Sequence, residues 1–348
     1  MTLQVVHQPH PKPAESPYRI VQHETGREVI WANRFLDREC IRCLAETTLR
    51  SYALDLLHFL RWWVGVHQTD AVTEEALTES TLLEYIRFQA SQSPRPAAAT
   101  INRRVVVADH AIQNECPQAP RPFADGFHQF YWKRSPMSVA RPRRVLSRLR
   151  VKAPKRVILP LSVEEVARFW SSFRTSRDLA IVGLMLLQGL RSKEVLSLNR
   201  EDLLLAESQI RVRGKGSKVR ILPLSPETVG LLDHYLRLER PPNSDTAVFV
   251  SLKGRARGTR MKPAGLRSLF RHHRLTTGVA HANPHRFRHT FASDMIRGGV
   301  SLPALMQLMG HSQIQTTLVY VQLTPLDVYQ QYARAVKQHV RPILPPQP

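Results

Sequence analysis

The chain has 348 residues, with 50 Lys plus Arg against 28 Asp plus Glu and a formal net charge of +22. This length suits two domains, and the cationic excess points to a polyanionic partner, because solubility alone asks for a net charge magnitude of only roughly 2–8. No apolar run reaches the roughly 18 residues of a membrane span, and the first residues lack the basic start and apolar stretch of a secretory signal.

Three cysteines, Cys40, Cys43 and Cys116, cannot build a disulfide framework, so a reducing cytoplasm is expected. In chain order, residues 1–30 carry Pro9, Pro11, Pro13 and Pro17 and read as a disordered tail. Residues 34–66 show helical spacing in Leu49, Tyr52, Leu56, Phe59, Leu60 and Trp63. Residues 73–91 and 97–115 read as two further helices, so residues 31–125 are expected to form an all-α domain. Cys40 and Cys43 form a CxxC, but no second pair follows at zinc spacing, and two small side chains one helical turn apart is the better reading. Residues 126–156 read as a basic linker. Lys133, Arg134, Arg143, Arg144 and Arg150 lie among its cations, with Pro136, Pro142 and Pro154 between them. A run of one sign repels itself unless a polyanion lies alongside.

The second domain, residues 157–340, opens with a Ser162-Val-Glu-Glu165 capping box. Helix is predicted from there through Leu190. Gln209–Arg213 and Val219–Leu224 read as a β-hairpin around the cationic tip Gly214-Lys-Gly-Ser-Lys218. Pro226 starts a further helix, and Ala247–Leu252 is read as another strand. From Lys262 onward the pattern is helical, broken at Pro284, Gly298-Gly299 and Gly310. The expected fold is therefore mainly α with a small antiparallel sheet: an all-α domain followed by an α+β domain.

Four clusters carry chemistry: Gly189-Leu-Arg191-Ser-Lys-Glu194, Gly214-Lys215-Gly216, His285-Arg-Phe-Arg288-His289, and Gly310-His311 followed by Tyr320. Alone, each has an ordinary reading as a helix end, a turn, an i,i+4 histidine pair or a core tyrosine. His285 and His289 could bind zinc by spacing, but no carboxylate stands near them in sequence. Together they suit covalent phosphoryl transfer with neither metal nor cofactor. Guanidinium forks neutralise phosphate oxygens, a phenol serves as nucleophile and as returning leaving group, a Lys protonates the departing oxygen, and histidines move protons near neutral pH.

In this order the clusters resemble the signature of the tyrosine recombinases, the phage-type integrases and their chromosomal and transposon-borne relatives: Arg, Lys, His-x-x-Arg, His or Trp, Tyr. Arg191 lies in GLRSKEV and Lys215 at the hairpin tip. His285 and Arg288 lie in HRFRHTFA, and His311 and Tyr320 in LMGHSQIQTTLVY, with Thr316 and Thr317 in place. Lys218 is a rival for the Lys position, and Tyr329 and Tyr332 are rivals for Tyr320 without the Thr-Thr spacing. The segment from Leu44 to Asp55 is similar to the family's core-binding domain. The resemblance spans residues 34–325.

The resemblance implies two domains closing around double-stranded DNA. Arg191 and Arg288 would hold the scissile phosphate, and His311 would hydrogen-bond a non-bridging oxygen. Lys215 would protonate the leaving 5′ oxygen, His285 would help move the nucleophile's proton, and Glu194 would orient its neighbours. Tyr320 would form a 3′-phosphotyrosine. Four protomers on two DNA sites, accessory recombination proteins and a nucleoid location in the cytoplasm are further implications, with integration or transposition among the outcomes. Arg103 and Arg104 on the third helix, Lys218, and Arg267, Arg271 and Arg274 are candidate DNA contacts, each with an exposed helix face or turn as the ordinary alternative. Two other functions share these features: a type IB topoisomerase or telomere resolvase, and a non-catalytic architectural DNA-binding protein.

Overall fold

A computed structural model describes residues 1–78, 80–119, 150–152, 159–214, 218–242 and 245–311. The chain divides into two compact units, Met1–Lys155 and Arg156–Pro348. Most of the basic linker, Lys215, Tyr320 and the rival tyrosines lie outside the described residues.

The first unit begins with strands β1 (Leu3–His7) and β2 (Tyr18–Gln22), paired antiparallel from Leu3↔Gln22 to His7↔Tyr18. This replaces the disordered tail expected for residues 1–30, while the described part of residues 31–125 is helical as expected. The prolines fall in the connection between the strands, where no ladder hydrogen bond is demanded of them. Strand alternation meanwhile buries Leu3, Tyr18 and Ile20 in the same core as the helices. Polar contacts fix the hairpin further. Arg19 Nη1 donates to both oxygens of Asp37 at 2.8 and 2.9 Å, and Arg61 Nη2 donates to the Leu3 carbonyl at 2.9 Å.

Helices α1 (Ile30–Ile41), α2 (Glu46–His67), α3 (Thr81–Ser91) and α4 (Ala98–Glu115) follow. The periodic stretch 34–66 is thus two helices, broken where Cys43 takes a left-handed φ of 58°. The Cys40 and Cys43 thiols each meet a backbone carbonyl, of Glu15 and Ile41. The third helix begins at Thr81, later than the predicted 73. The α2 stripe buries Leu49, Leu56, Phe59, Leu60 and Trp63, and Phe59 meets Tyr85 of α3 edge-on at 5.1 Å. Each such large side chain contributes about 1.5–3 kcal/mol on burial. From the far end of the linker, Val151 exchanges two backbone bonds with the Asn102 side chain on α4.

The second unit opens with α5 (Val163–Trp170), capped by the predicted reciprocal bonds between Ser162 and Glu165. Helix does not run on to Leu190. It restarts as α6 (Ser176–Leu186), because the Thr175 side chain accepts from the Asp178 amide and caps a new helix. Helix α6 is buried along Ala180–Met185 and runs through the core of this unit. After α7 (Ser192–Ser197), a three-stranded antiparallel sheet forms in the order β3 (Leu203–Leu204), β4 (Gln209–Arg213), β5 (Val219–Pro223).

Helix α8 (Pro226–His234) starts at Pro226 behind the Ser225 cap. Residues 247–252 make isolated bridges rather than the predicted strand. The Tyr235 hydroxyl explains this: it donates to the Val248 carbonyl at 3.1 Å and accepts from the Val250 amide at 3.2 Å, taking the place of a neighbouring strand. Helices α9 (Pro263–Thr277), α10 (Pro284–Arg297) and α11 (Leu302–Met309) complete the described unit, with left-handed Gly278 and Gly310 ending α9 and α11. Among the described residues no helix is long and apolar enough to cross a membrane.

Candidate active site

Three stretches far apart in sequence meet around one carboxylate. Gly189, just ahead of α7, has φ +66°, and a Cβ there would lie 2.4 Å from the Phe291 ring. Only glycine fits both conditions. The turn aims the Gly189 carbonyl at Arg288 Nη1 on α10, which donates to it. Arg191 then starts α7, and Glu194 folds back one turn. Its Oε2 accepts the Arg191 amide at 2.8 Å, and its Oε1 accepts Arg191 Nη1 at 2.9 Å.

Glu194 is buried, at 4% exposure. A carboxylate so placed is costly unless it is paired on every side. Arg220 on β5 supplies the main pairing, donating Nη1 to Oε1 at 3.1 Å and Nη2 to Oε2 at 3.0 Å. Arg288 Nη1 stands 3.8 Å from Oε2. Burial pushes the Glu194 carboxyl up. The Arg220 bonds, the Arg191 amide and the two guanidinium charges outweigh it and hold the group below the usual carboxylate range.

Helix α11 closes the site from its C-terminal end. The Met309 carbonyl accepts from Arg288 Nη2 at 2.6 Å and from Arg191 Nη1 at 3.3 Å, and Arg220 Nε donates to the Leu308 carbonyl at 3.0 Å. Left-handed Gly310 then turns the chain so that His311 Nε2 faces Arg288 Nη2 at 2.9 Å. Burial, then the charges of Arg288, Arg191 and Arg220, push the His311 imidazole down to about 4, against the pull of Glu194. It is neutral at pH 7. Three guanidinium groups thus surround one carboxylate, leaving a cationic surplus that suits an anion. Arg191 is the accessible member, with its side chain 35% exposed, whereas Arg288 is 3% exposed. Among the described residues Arg191 Nε and Nη2 have no protein partner.

The structure therefore gathers Arg191, Arg288 and His311 from the predicted set. His285 is exposed on the first turn of α10, one turn ahead of Arg288. Its neighbour His289 is buried, and burial with the nearby Arg286, His285 and Arg288 charges pushes it down to about 4. Lys218 is exposed at the hairpin, where its carbonyl accepts the Gly214 amide at 2.7 Å.

Among the candidate DNA contacts, Arg103 is already engaged. Its Nε lies 2.7 Å from the buried Asp55 carboxylate, with Arg104 Nε at 3.9 Å. Arg267 and Arg271 are exposed on α9 and Arg274 half-buried, and no ion pair of theirs occurs among the described residues. The sequence reading missed Arg220. Its signal was a cation at the strand position that shares a face with buried Leu222, since an inward-facing Arg requires an anion within reach.

Residues 160–326 match the phage integrase family. Tyrosine recombinase XerC of Pseudomonas fluorescens is 40% identical over 159 residues, 43% of this chain and 50% of the relative. The chain thus spans about half the length of the XerC relatives it matches. Tyrosine recombinase XerD of Oceanobacillus iheyensis is 29% identical over 307 residues, 84% of this chain and 93% of the relative. Two solved structures share the fold. The XerH site-specific recombinase bound to palindromic difH substrate has TM-score 0.64 and 17% identity, over 88% of this chain and 94% of that one. The Tn1549 transposon integrase in complex with transposon right end DNA has TM-score 0.63 and 16% identity, over 88% of this chain and 99% of that one. Residues 160–326 are thus similar to the phage integrase domain, and the curated relatives that the chain resembles are tyrosine recombinases.

Proposed function

We propose that this protein is a site-specific recombinase that cuts and rejoins double-stranded DNA through a 3′-phosphotyrosyl intermediate, without metal or ATP. The observation that carries the reading is the cationic cluster of Arg191, Arg220 and Arg288 around buried Glu194, with Arg191 turned outward. Arg191 receives the scissile phosphate in a guanidinium fork, and Arg288 adds charge from behind it. Tyr320 attacks phosphorus through its phenolic oxygen. The bond to the 5′ oxygen breaks as Lys215 protonates that oxygen, and His285 takes the phenolic proton. Attack by a 5′-hydroxyl reverses these transfers and releases Tyr320, so the ester conserves the bond energy. His311 hydrogen-bonds a non-bridging oxygen of the phosphate.

In this reading residues 31–125 form the core-binding domain, residues 126–156 the basic linker and residues 157–340 the catalytic domain. Arg267, Arg271, Arg274 and Lys218 contact DNA, and recombination takes place in a tetramer on two DNA sites, with accessory proteins, at the cytoplasmic nucleoid. The relatives solved as complexes with difH substrate and transposon-end DNA support a DNA partner. The deciding experiment is a denaturing gel of the protein with DNA in EDTA. A covalent adduct is expected from the wild type and none from Tyr320→Phe. Absence of any adduct from the wild type leaves an architectural DNA-binding protein. Joining of two marked duplexes separates a recombinase from a topoisomerase, which reseals only the strand it cut.

A further inference from the structure

Arg220 lies outside the six-residue signature, yet three parts of the site meet on it. We propose that Arg220 is a positioning residue. It holds Glu194, and through Glu194 the Arg191 guanidinium, in register with the Gly310–His311 turn, without touching the phosphate itself. The proposal rests on the phosphoryl-transfer reading above.

Four observations lead to it. Each of the three Arg220 nitrogens is already bonded, Nη1 and Nη2 to the Glu194 carboxylate and Nε to the Leu308 carbonyl, and the side chain is only 14% exposed. It thus has no open edge like that of Arg191. The bonds tie β5 to α7 and to the end of α11, which are joined by no short stretch of chain. A Cβ at Gly310 would lie 2.8 Å from Arg220 Nη1, so the backbone leading into His311 rests on the guanidinium. A Cβ at Gly214 would lie 3.5 Å from the same nitrogen and 3.9 Å from Glu194 Oε1, which brings the base of the cationic hairpin to the same place. Only a planar fork meets a carboxylate with two nitrogens while its third serves a carbonyl, so Lys is no substitute.

The charged groups facing Glu194 are Arg191 on its own helix, Arg220 from β5, Arg288 from α10 and, past α11, the titratable His311. Removing Arg220 removes the chief counterweight to the burial of Glu194 and one of the charges that depress His311. Both groups then take up protons at higher pH, and a protonated Glu194 holds Arg191 less firmly. The acid limb of the cleavage profile moves upward.

The test uses the full chain, wild type and with Arg220→Lys or Arg220→Gln. The DNA is the tightest-binding duplex recovered from a random-sequence pool by the wild type. Folding is followed by circular dichroism, binding by titration at several salt concentrations, and adduct formation on denaturing gels from pH 5 to 9. We expect both variants to keep the wild-type salt slope and to form adduct at least about tenfold more slowly, equivalent to one good hydrogen bond in the transition state, and the Gln variant, which also loses the charge, to show the raised acid limb. A salt slope reduced by about 0.9 would make Arg220 a phosphate contact and overturn the proposal. So would a wild-type rate in the Lys variant, or an unmoved acid limb in the Gln variant. If neither variant folds, Glu194→Gln decides: slow adduct formation at unchanged salt slope supports the role, and a normal rate overturns it. A wild type that yields no adduct refutes the recombinase reading instead, and that result is distinct from a defect confined to the variants.

Discussion

Arg288 Nη2 donates to His311 Nε2 across 2.9 Å. A guanidinium can only donate, so Nε2 is the bare nitrogen of a neutral imidazole, and the ring proton sits on Nδ1. This agrees with a pKa pushed down to about 4 by burial and by the neighbouring arginines. His58 and His289 are likewise pushed down to about 4. The folded chain leaves these three rings unprotonated where the unfolded chain, with histidine near about 6.5, takes up protons. Their contribution to stability is present in full above that pH and is lost as pH falls toward about 4. The urea midpoint should therefore drop between pH 7 and pH 4.5, and His58→Gln with His289→Gln should lessen the drop. An unchanged midpoint across that window contradicts the assignment.

Gly189 offers a sharper test of the site's backbone. Gly189→Ala meets a left-handed φ, which costs roughly 1–2 kcal/mol, and adds a contact 2.4 Å from the Phe291 ring. A total loss of more than about 2 kcal/mol is expected in urea unfolding. Gly230 in α8 is the control, since a Cβ there meets nothing within 4 Å. Gly230→Ala should stabilise by about 0.4–1 kcal/mol. Equal effects at the two positions would contradict the geometry.

The amino-terminal hairpin is testable in the same way. Ile20 is fully buried against the helices of the first unit. Ile20→Ala should cost about 2–5 kcal/mol. A disordered segment would tolerate the change with no measurable shift in the unfolding midpoint.

The basic side chains separate into two groups by experiment. Arg103 neutralises buried Asp55, whose carboxyl burial pushes up against the bonds and charge of Arg103 and the charge of Arg104. Arg103→Ala should lower the melting temperature. Arg267→Ala and Arg271→Ala should leave melting within about 0.5 kcal/mol of wild type. Each should reduce the salt slope of DNA binding by about 0.9 where it contacts a phosphate. An unaltered slope in both removes this face of α9 from the DNA interface.

Most of the helices and the hairpin were legible in the sequence, because periodic apolar residues, caps and glycines are local signals. The Ser162–Glu165 box, the α2 stripe, the β4–β5 pair and the start at Pro226 all stand where the pattern puts them. The clustering of Arg191, Arg288 and His311 was legible only through the resemblance, since nothing local in those segments says that they touch. The misreadings share one cause. Proline content concealed that Leu3 and Ile20 would find a core, and β-like residues at 247–252 concealed that Tyr235 would take the place of a neighbouring strand. Residue types and order thus determined the family resemblance, the cationic character and most elements. Tertiary structure alone decided that Arg220 reaches Glu194 across 26 positions of sequence and that Arg288 fixes the tautomer of His311. Those choices depend on which buried charge finds a partner, and burial is a property of the folded chain.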